Sequence, residues 1–215
     1  MPPLPDFTSA FLGALLVSYL LGSVPFGFTL AKLLRGVDIR TIGSGNIGAT
    51  NAMRVLGKPL GIVAFLLDFA KGAVPAAVIA PLAVPPDQVG VAAVLCGLAA
   101  VLGHVFPIYL RFKGGKAVAT GCGVVVAIDP VVFLISGLVW LLLWGTTRMV
   151  ALASIGLGLA LPITAGLRAG SGGAELTLFC VGLCLLILVR HRSNIRRMIA
   201  GTEPRGGHKP PGSDG

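Results

Sequence analysis

A polar, glycine-rich segment, residues 42–54, separates two long apolar stretches. Its glycines free the backbone to expose N–H groups, and its side chains add short hydrogen-bond donors and one guanidinium. This combination is typical of a loop that binds a phosphate or another oxyanion. Because glycine, serine and asparagine are also ordinary turn residues, a solvated turn explains the loop alone equally well. The groups that we assign to anion binding are Gly43, Ser44, Gly45, Asn46, Thr50, Asn51 and Arg54.

This loop does not have the sequence of a nucleotide-binding P-loop. Gly48 is followed by Ala49, and not by the Lys-Ser/Thr pair that contacts phosphate and magnesium in such loops. The preceding residues also do not predict a strand. We therefore do not expect nucleotide binding.

A second glycine pair, Gly114-Gly115, lies between Lys113 and Lys116, just before a new apolar helix. N–H donors, the positive end of the helix dipole and two ammonium groups would meet there, which suits a phosphate dianion. A positively charged loop with a glycine turn would explain the lysines but not the paired glycines between them. His104, at the end of the preceding helix, could be a buried hydrogen-bonding residue, a general base or a phosphate ligand.

Two further polar groups interrupt or follow apolar segments. Asp68 and Lys71 are three residues apart and share one helical face. Because ionisable groups are costly in a bilayer, the pair should face the bundle interior, as a structural ion pair or as part of a substrate site. His191 and Asn194 lie in a basic cluster after the last apolar segment, and a stop-transfer cluster requires neither of them. We therefore place both beside the site.

The composition indicates an integral membrane protein. Hydrophobic residues make up 55% of the chain and charged residues 12%, which is too little polar surface to cover a water-soluble globule. The net charge of +9 does not indicate nucleic-acid binding, because aromatic residues are few and the cations fall between apolar segments. The loops are poor in carboxylates and the four cysteines lack zinc-site spacing, so we expect neither a metal nor a cofactor.

The apolar segments predict an all-α, polytopic membrane bundle with seven transmembrane helices. The first is expected to be an uncleaved span, because no basic region precedes it. The fourth is shorter than the ~20 residues of a full span, and residues 168–173 are expected to form a Gly/Ser linker. The predicted spans are residues 7–34, 59–84, 88–110, 117–128, 131–145, 149–167 and 175–189.

The distribution of cations predicts the orientation. All but Lys32, Lys71 and Arg168 of the 17 lysines and arginines fall in alternate loops or in the tail. The positive-inside rule then places the N-terminus outside and the C-terminus in the cytoplasm. We expect residues 1–200 to form a single domain and residues 201–215, rich in glycine, proline and charge, to be disordered.

Five motifs, in this order, resemble those of the PlsY family of bacterial acyl-phosphate:glycerol-3-phosphate acyltransferases. They are Ser44-Gly-Asn-Ile-Gly-Ala-Thr-Asn-Ala-Met-Arg54, Asp68-Phe-Ala-Lys-Gly72, Gly103-His-Val-Phe-Pro107, Phe112-Lys-Gly-Gly-Lys-Ala-Val-Ala-Thr120 and His191-Arg-Ser-Asn-Ile-Arg196. The resemblance implies an inner-membrane enzyme whose active site faces the cytoplasm. Such an enzyme moves a fatty acyl group from acyl phosphate to the sn-1 hydroxyl of glycerol 3-phosphate, giving lysophosphatidic acid and phosphate at the start of phospholipid synthesis.

The resemblance also implies roles for particular residues. It makes Ser44 and Arg54 essential and places Gly114 and Gly115 in the glycerol 3-phosphate site. One departure is Ala151, where relatives commonly carry a hydroxyl. The candidate catalytic residues are Ser44, Arg54, His104 and Asn194, and the candidate substrate-binding residues are Gly43, Gly45, Asn46, Thr50, Asn51, Lys71, Lys113, Gly114, Gly115, Lys116 and His191.

The residues themselves agree with acyl phosphate as the donor. A mixed anhydride is already activated, so its transfer needs orientation and charge stabilisation but no covalent enzyme intermediate. The chain has neither a Gly-x-Ser-x-Gly elbow nor a His-x-x-x-x-Asp signature, since Tyr109 follows His104 and Arg196 follows His191 at that spacing. A transporter or channel for phosphate-bearing anions is the alternative. Its path should show polar residues along several spans, whereas here they cluster at one end.

Overall fold

The computed structural model describes residues 4–205, apart from the side chains of residues 170–172. Every regular element in that range is a helix, which confirms the predicted all-α class. The helices are α1 (Ser9–Ser23), α2 (Phe26–Arg35), α3 (Ala49–Leu56), α4 (Lys58–Ala83, with a π-helical turn at Pro75–Ile79), α5 (Val89–Val105), α6 (Val118–Ile128), α7 (Pro130–Thr147), α8 (Val150–Leu167), α9 (Ala169–Arg190) and α10 (Arg192–Ile199).

Several helices are long and apolar enough to cross a membrane. Among the described residues these are α4, α7, α8 and the segments Pro86–Leu110 and Gly173–Arg190. Helices α1 and α2 qualify only as a pair, with a bend of 44° between them. Helix α6 has 11 residues, or about 16 Å, against a hydrocarbon layer of about 30 Å. By length and composition, the described residues thus hold five candidate crossings, or six with the bent pair. The seventh crossing and the placement of the termini stay predictions.

The first predicted span, residues 7–34, is not one continuous helix. It breaks at Val24-Pro25, because Pro25 has no N–H to continue the ladder. The Val24 carbonyl accepts a hydrogen bond of 2.7 Å from Lys71 Nζ. Lys71 also lies 2.7 Å from Asp68, and both side chains are buried. The structure therefore assigns Lys71 to the helix break, where the sequence had placed it among the substrate-binding residues.

Residues 168–173 do more than link two spans. Arg168 Nε lies 3.0 Å from Asp129 Oδ2, and the other Asp129 oxygen accepts from the Val131 and Val132 N–H groups at the start of α7. Helix α9 begins at Ala169 and is kinked at Gly173, whose φ is 75°. One carboxylate thus ties the start of α7 to the junction between α8 and α9, at a place where the sequence predicted a plain Gly/Ser linker.

The short helix α6 lies in the centre of the bundle. Residues 120–125 are buried, and α6 packs along α4 so closely that a Cβ at Gly72 would overlap the Thr120 carbonyl. On the outside, α7 exposes Leu134, Leu138 and Leu142, which suits contact with lipid tails. The chain is an integral membrane protein whose buried α6 leads directly from the Gly114-Gly115 loop.

Candidate functional site

The Ser44 loop, residues 42–48, is held in shape by Asn51. This side chain is buried; its Nδ2 donates to the Ile39 and Ile42 carbonyls at 2.9 and 3.0 Å, and its Oδ1 accepts from the Ser44 N–H at 2.9 Å. Because both amide hydrogens are already bonded, Asn51 cannot donate to a substrate. It belongs to the framework of the loop, which corrects its predicted place among the substrate-binding groups.

The same loop turns back through two left-handed glycines, with φ of 63° at Gly43 and 67° at Gly45. Asn46 Oδ1 accepts from the Gly48 N–H at 2.8 Å, which closes the turn before α3. The structure thus shows the predicted turn, and the binding of an anion by this loop stays a prediction. The Ser44 side chain is exposed on it, and Thr50 is half-buried at the start of α3.

Arg54 lies on α3 beside this turn. Its side chain is exposed, and a Cβ added at Gly43 would come 4.0 Å from Arg54 Cδ. Ser44 and Arg54 are therefore both exposed beside the same turn, and their joint action on a substrate stays a prediction.

The Gly114-Gly115 loop folds back on the end of α5. The Gly114 N–H donates to the Val105 carbonyl and the Gly115 N–H to the His104 carbonyl, both at 3.1 Å. The prediction that these N–H groups hold a phosphate is therefore wrong, because both are bonded within the protein. Close packing explains the glycines: a Cβ at Gly114 would overlap the Val105 and His104 carbonyls, and one at Gly115 would overlap the His104 ring.

Arg190 fixes the other side of this loop. Its Nη2 donates to the Gly114 carbonyl at 2.7 Å and its Nε to the Gly115 carbonyl at 3.0 Å. Lys113, the residue before the pair, is exposed. The loop is therefore rigid in its backbone and presents cations.

A chain of polar contacts joins Lys116 to the C-terminal segment. Lys116 Nζ donates to Asn194 Oδ1 at 2.5 Å, and Asn194 Nδ2 donates to Glu203 Oε1 at 2.7 Å. Arg197 Nε donates to the other Glu203 oxygen at 2.8 Å. Glu203, which the sequence placed in the tail, is buried. The remainder of the predicted disordered tail, residues 206–215, lies outside the described residues.

The environment of Lys116 weakens its positive charge. Burial is the largest cause that lowers its pKa to about 8, and the negative charge of Glu203 opposes the shift. The nearby cations Arg197, Arg54 and Arg190 lower the pKa further. The charged side chains around Lys116 are therefore mostly cations, with Glu203 as the carboxylate that opposes them.

His191 lies between α9 and α10 and is buried. Its Nδ1 is 2.9 Å from the Ile187 carbonyl, so Nδ1 carries the ring proton and Nε2 keeps a free lone pair. Burial and the charge of Lys116 lower the pKa of His191 to about 4, although the bond to Ile187 opposes this. His191 is therefore a neutral hydrogen-bond acceptor near Lys116 at neutral pH.

His104 is buried beneath the Gly115 backbone rather than exposed beside it. Its Nδ1 lies 3.8 Å from Asp68 Oδ1. This position suits a residue that supports the loop, and it does not place the ring at a surface that a substrate could reach directly. His104 thus lies between the buried ion pair and the glycine loop, without a hydrogen bond from its Nδ1 to Asp68.

A cavity of about 350 Å³ opens between the two glycine loops. Its walls come from the Ser44 loop, the Gly114-Gly115 loop and the end of α9. The lining residues are Arg40, Gly45, Ile47, Phe112, Lys113, Gly114 and Arg190.

Sequence reasoning missed three residues here: Glu203, Arg190 and Arg40. Arg190 directly precedes a predicted site residue, and Glu203 is an acid within a basic segment, so each had a weak local signal. Arg190 is bonded to carbonyls 75 and 76 positions away, and Glu203 is bonded to Asn194 across a turn. The sequence does not show that these atoms lie close together.

Residues 12–201 match a protein family described as glycerol-3-phosphate acyltransferase. The glycerol-3-phosphate acyltransferase of Macrococcus caseolyticus (strain JCSC5402) is 48% identical over 191 residues, which are 89% of this chain and 94% of that protein. The protein of the same name from Aquifex aeolicus (strain VF5) is 46% identical over 190 residues, covering 87% and 95% of the two chains.

Two crystal structures of PlsY (YgiH), an integral membrane glycerol 3-phosphate acyltransferase, have the same fold. The glycerol 3-phosphate form superposes with a TM-score of 0.85 at 41% identity, over 93% of this chain and 96% of that chain. The lysophosphatidic acid form gives a TM-score of 0.82 at 41% identity, over 92% and 95%.

Proposed function

Because the chain belongs to the glycerol-3-phosphate acyltransferase family, we propose that it transfers a fatty acyl group from acyl phosphate to the sn-1 hydroxyl of glycerol 3-phosphate. The products are lysophosphatidic acid and phosphate. The observation that carries the proposal is the chain of hydrogen bonds through Asn194 in which the cations Lys116 and Arg197 share the carboxylate of Glu203. A phosphate dianion would neutralise this excess of positive charge.

We assign the glycerol 3-phosphate end to Lys116, Asn194 and His191. Lys116 supplies a buried ammonium group, which Asn194 holds in position. The free Nε2 of His191 accepts a hydrogen bond from a substrate hydroxyl. Solved structures of a relative in a glycerol 3-phosphate form and a lysophosphatidic acid form support this acceptor and product.

The assignment of acyl phosphate as the donor rests on the polar groups Ser44 and Arg54. Ser44 lies on the other loop and Arg54 on the adjoining helix α3. Both face the charge that develops on the departing phosphate. The two loops meet, so the donor carbonyl and the acceptor hydroxyl come together without a covalent enzyme intermediate. Gly43, Gly45 and Asn46 give this loop its shape, and Thr50 follows it at the start of α3.

The reaction forms one bond and breaks one. The substrate hydroxyl oxygen attacks the donor carbonyl carbon, and the bond from that carbon to the bridging phosphate oxygen breaks, so phosphate leaves with the electron pair. With a pKa of about 4, His191 is too weak a base to keep the hydroxyl proton at neutral pH. The bridging oxygen of the departing phosphate gains a full negative charge as its bond to carbon breaks, which makes it the stronger base, so the proton leaves with phosphate as hydrogen phosphate.

We further propose that the protein resides in a bacterial inner membrane with seven crossings, its N-terminus outside and its site in the cytoplasm. The site loops carry most of the cations, as cytoplasmic loops do. A cysteine introduced at Ala169 should react with an impermeant thiol reagent in whole cells, and one at Gly201 should not. The reverse pattern would refute the orientation. The native cysteines are buried, so they should give little background.

The donor is tested with purified protein, labelled glycerol 3-phosphate and either palmitoyl phosphate or palmitoyl-CoA. We expect lysophosphatidic acid only from the phosphate donor. Comparable turnover with the thioester would refute the donor assignment, and no product from either would refute the proposed reaction.

A further inference from the structure

Helices α9 and α10 keep one buried face toward the bundle, although their junction at His191 is not helical. The His191 N–H donates to the Ile187 carbonyl and the Ile195 N–H to the His191 carbonyl, both at 2.9 Å. The hydrogen-bond ladder therefore continues on both sides of the junction. The buried positions follow it at helical spacing and are Leu183, Ile187, His191 and Asn194.

The opposite face of the two helices changes from apolar to cationic at the same junction. Its exposed positions recur every three or four residues, which is the spacing of one helical face. In order they are Gly182, Leu185, Val189, Arg192, Arg196 and Ile199. The apolar members suit lipid tails, and the arginines follow where the apolar segment of α9 ends. This face, which we call the outer face of α9 and α10, thus has the order of a helix that leaves the hydrocarbon layer for the head groups.

The two arginines of the outer face have no partner within residues 4–205. Arg192 and Arg196 make neither a hydrogen bond nor an ion pair there, whereas the neighbouring Arg197 is paired with Glu203 at 2.8 Å. Glu203 is the one acidic residue between positions 191 and 205, and it is buried. The outer face therefore carries two guanidinium groups whose charge the described part of the chain does not neutralise.

The geometry of a helix lets both arginines reach lipid head groups. Along a helix axis, Arg192 lies about 4.5 Å and Arg196 about 10.5 Å beyond Val189, and the head-group layer is about 5–7 Å thick on each side of a bilayer. Helical side chains lean toward the N-terminus, which here is the apolar part of α9, so Arg196 can extend back to that layer. Ile199 is 84% exposed, and an apolar side chain beside cations is typical of a helix at a bilayer surface.

We propose that Arg192 and Arg196 bind an anionic phospholipid in the leaflet beside the candidate site, and that this lipid steadies α10. The buried face of α10 carries Asn194, which accepts a hydrogen bond from Lys116. One short helix therefore joins the lipid contact to the site. Because the arginines continue the exposed apolar row of α9, lipid fits this face better than a soluble acidic protein does. Lipid binding does not depend on the reaction, and only its effect on kinetics rests on the proposed function.

Fluorescence quenching in nanodiscs measures the lipid preference of this face. A fluorophore attached to Ser193→Cys reports on it, because Ser193 is exposed and the native cysteines are buried. Spin-labelled phosphatidylglycerol should quench the fluorophore with an association constant about tenfold above that of spin-labelled phosphatidylcholine, because each cation near an anionic lipid contributes about fivefold. Equal association constants for the two lipids would overturn the proposal.

Two double variants with the same loss of charge locate the preference. Arg192→Gln with Arg196→Gln should reduce it to about twofold or less. Arg35→Gln with Lys58→Gln is the matched control, because both residues are exposed cations outside α9 and α10, and it should keep the preference of the wild type. Loss of the preference in both double variants, or in neither, would contradict a site on the outer face.

Salt tests the wild type without any substitution, so the proposal stays testable if the arginine double variant does not fold. Between 0.1 and 1 M NaCl the Debye length falls from about 10 to about 3 Å. The preference for phosphatidylglycerol should therefore fall several-fold. The same preference at both salt concentrations would exclude attraction between charges as its cause and would overturn the proposal.

Hydrogen exchange tests whether the bound lipid steadies α10. Phosphatidylglycerol should slow amide exchange of residues 192–199 in the wild type and in the control double variant, but not in Arg192→Gln with Arg196→Gln. Equal exchange in the two double variants would refute the effect on α10. If polyglutamate slows this exchange in phosphatidylcholine nanodiscs as phosphatidylglycerol does, the face fits an acidic protein, and its assignment to lipid is overturned.

Kinetics test whether the effect reaches the site. In phosphatidylglycerol nanodiscs, KM for glycerol 3-phosphate should be about fivefold higher in the arginine double variant than in the control, which is the lower end of typical coupling between two sites. Both variants have the same net charge and lie at the same negative surface, so repulsion of the substrate affects them equally. Equal KM values would refute the coupling. A wild type that forms no lysophosphatidic acid would refute the proposed function, whereas the quenching result would stand.

Discussion

The pKa of Lys116 predicts how substrate affinity should depend on pH. With a pKa of about 8, roughly nine-tenths of Lys116 is protonated at pH 7 and roughly one-tenth at pH 9. The phosphate of the substrate, with a second pKa of about 6, is a dianion across this range. If only the ammonium form of Lys116 binds it, KM for glycerol 3-phosphate should rise about tenfold between pH 7 and pH 9.

The direction of this effect separates it from loss of folding. Burial lowers the pKa of Lys116 below that of an ordinary lysine, so the charged form is the unfavourable one in the folded protein. Stability linked to Lys116 therefore increases as pH rises from about 8 toward the unfolded value of about 10.4. A rise in KM over this range, with a melting temperature that does not fall, would be a binding effect.

The measurement is initial-rate formation of labelled lysophosphatidic acid at several pH values, with both substrate concentrations varied. Lys116→Arg is the control, because a guanidinium does not titrate below pH 12; its KM should change little between pH 7 and 9. Glu203→Gln removes the one charge that raises the pKa of Lys116, so its KM should begin to rise at lower pH. A flat wild-type profile, or the same rise in Lys116→Arg, would refute the assignment of Lys116 to the phosphate.

Three other substitutions test separate parts of the site. Arg54→Lys should lower kcat by ~10²-fold or more, because an ammonium group lacks the planar fork that stabilises the departing phosphate; near-normal kcat would contradict that role. Gly115→Ala should raise KM for glycerol 3-phosphate with little change for the acyl donor, because the new Cβ displaces the His104 ring and with it the loop; the opposite KM pattern would contradict it. Lys71→Met leaves Asp68 buried without its partner and should cost about 3–5 kcal/mol of stability, measured by thermal unfolding, whereas the double variant with Asp68→Leu should recover most of it. Equal melting temperatures for the single and double variants would exclude an ion-pair effect.

The amino-acid sequence alone was sufficient for the class of protein and for naming the loops that form the candidate site. Apolar segment length and the position of cations are local properties, and a membrane imposes the same length and charge rules on every helix that crosses it. The motifs around Ser44 and Gly114 are also local, so the sequence could name them as the loops of the site. The family resemblance drawn from these motifs agrees with the match over residues 12–201.

Only the tertiary structure decided which groups at the site are still available to a ligand. Asn51, Gly114 and Gly115 have the composition of anion-binding residues, but their N–H groups are bonded to carbonyls within the protein. Lys71 Nζ likewise donates a hydrogen bond to the Val24 carbonyl at the break between α1 and α2. A donor's partner is set by whichever acceptor the fold brings within about 3 Å, and sequence spacing does not encode that.

The structure also added Glu203, Arg40 and Arg190, whose roles depend on contacts made across the bundle or after a turn. In the sequence, Glu203 is only an acidic residue within a basic segment. In the structure, the turn after α10 brings its carboxylate to the Asn194 amide. The charge on Lys116 was visible in the sequence, but its lowered pKa was not. Burial and the combined field of neighbouring cations cause that shift, and both arise only when distant segments fold together.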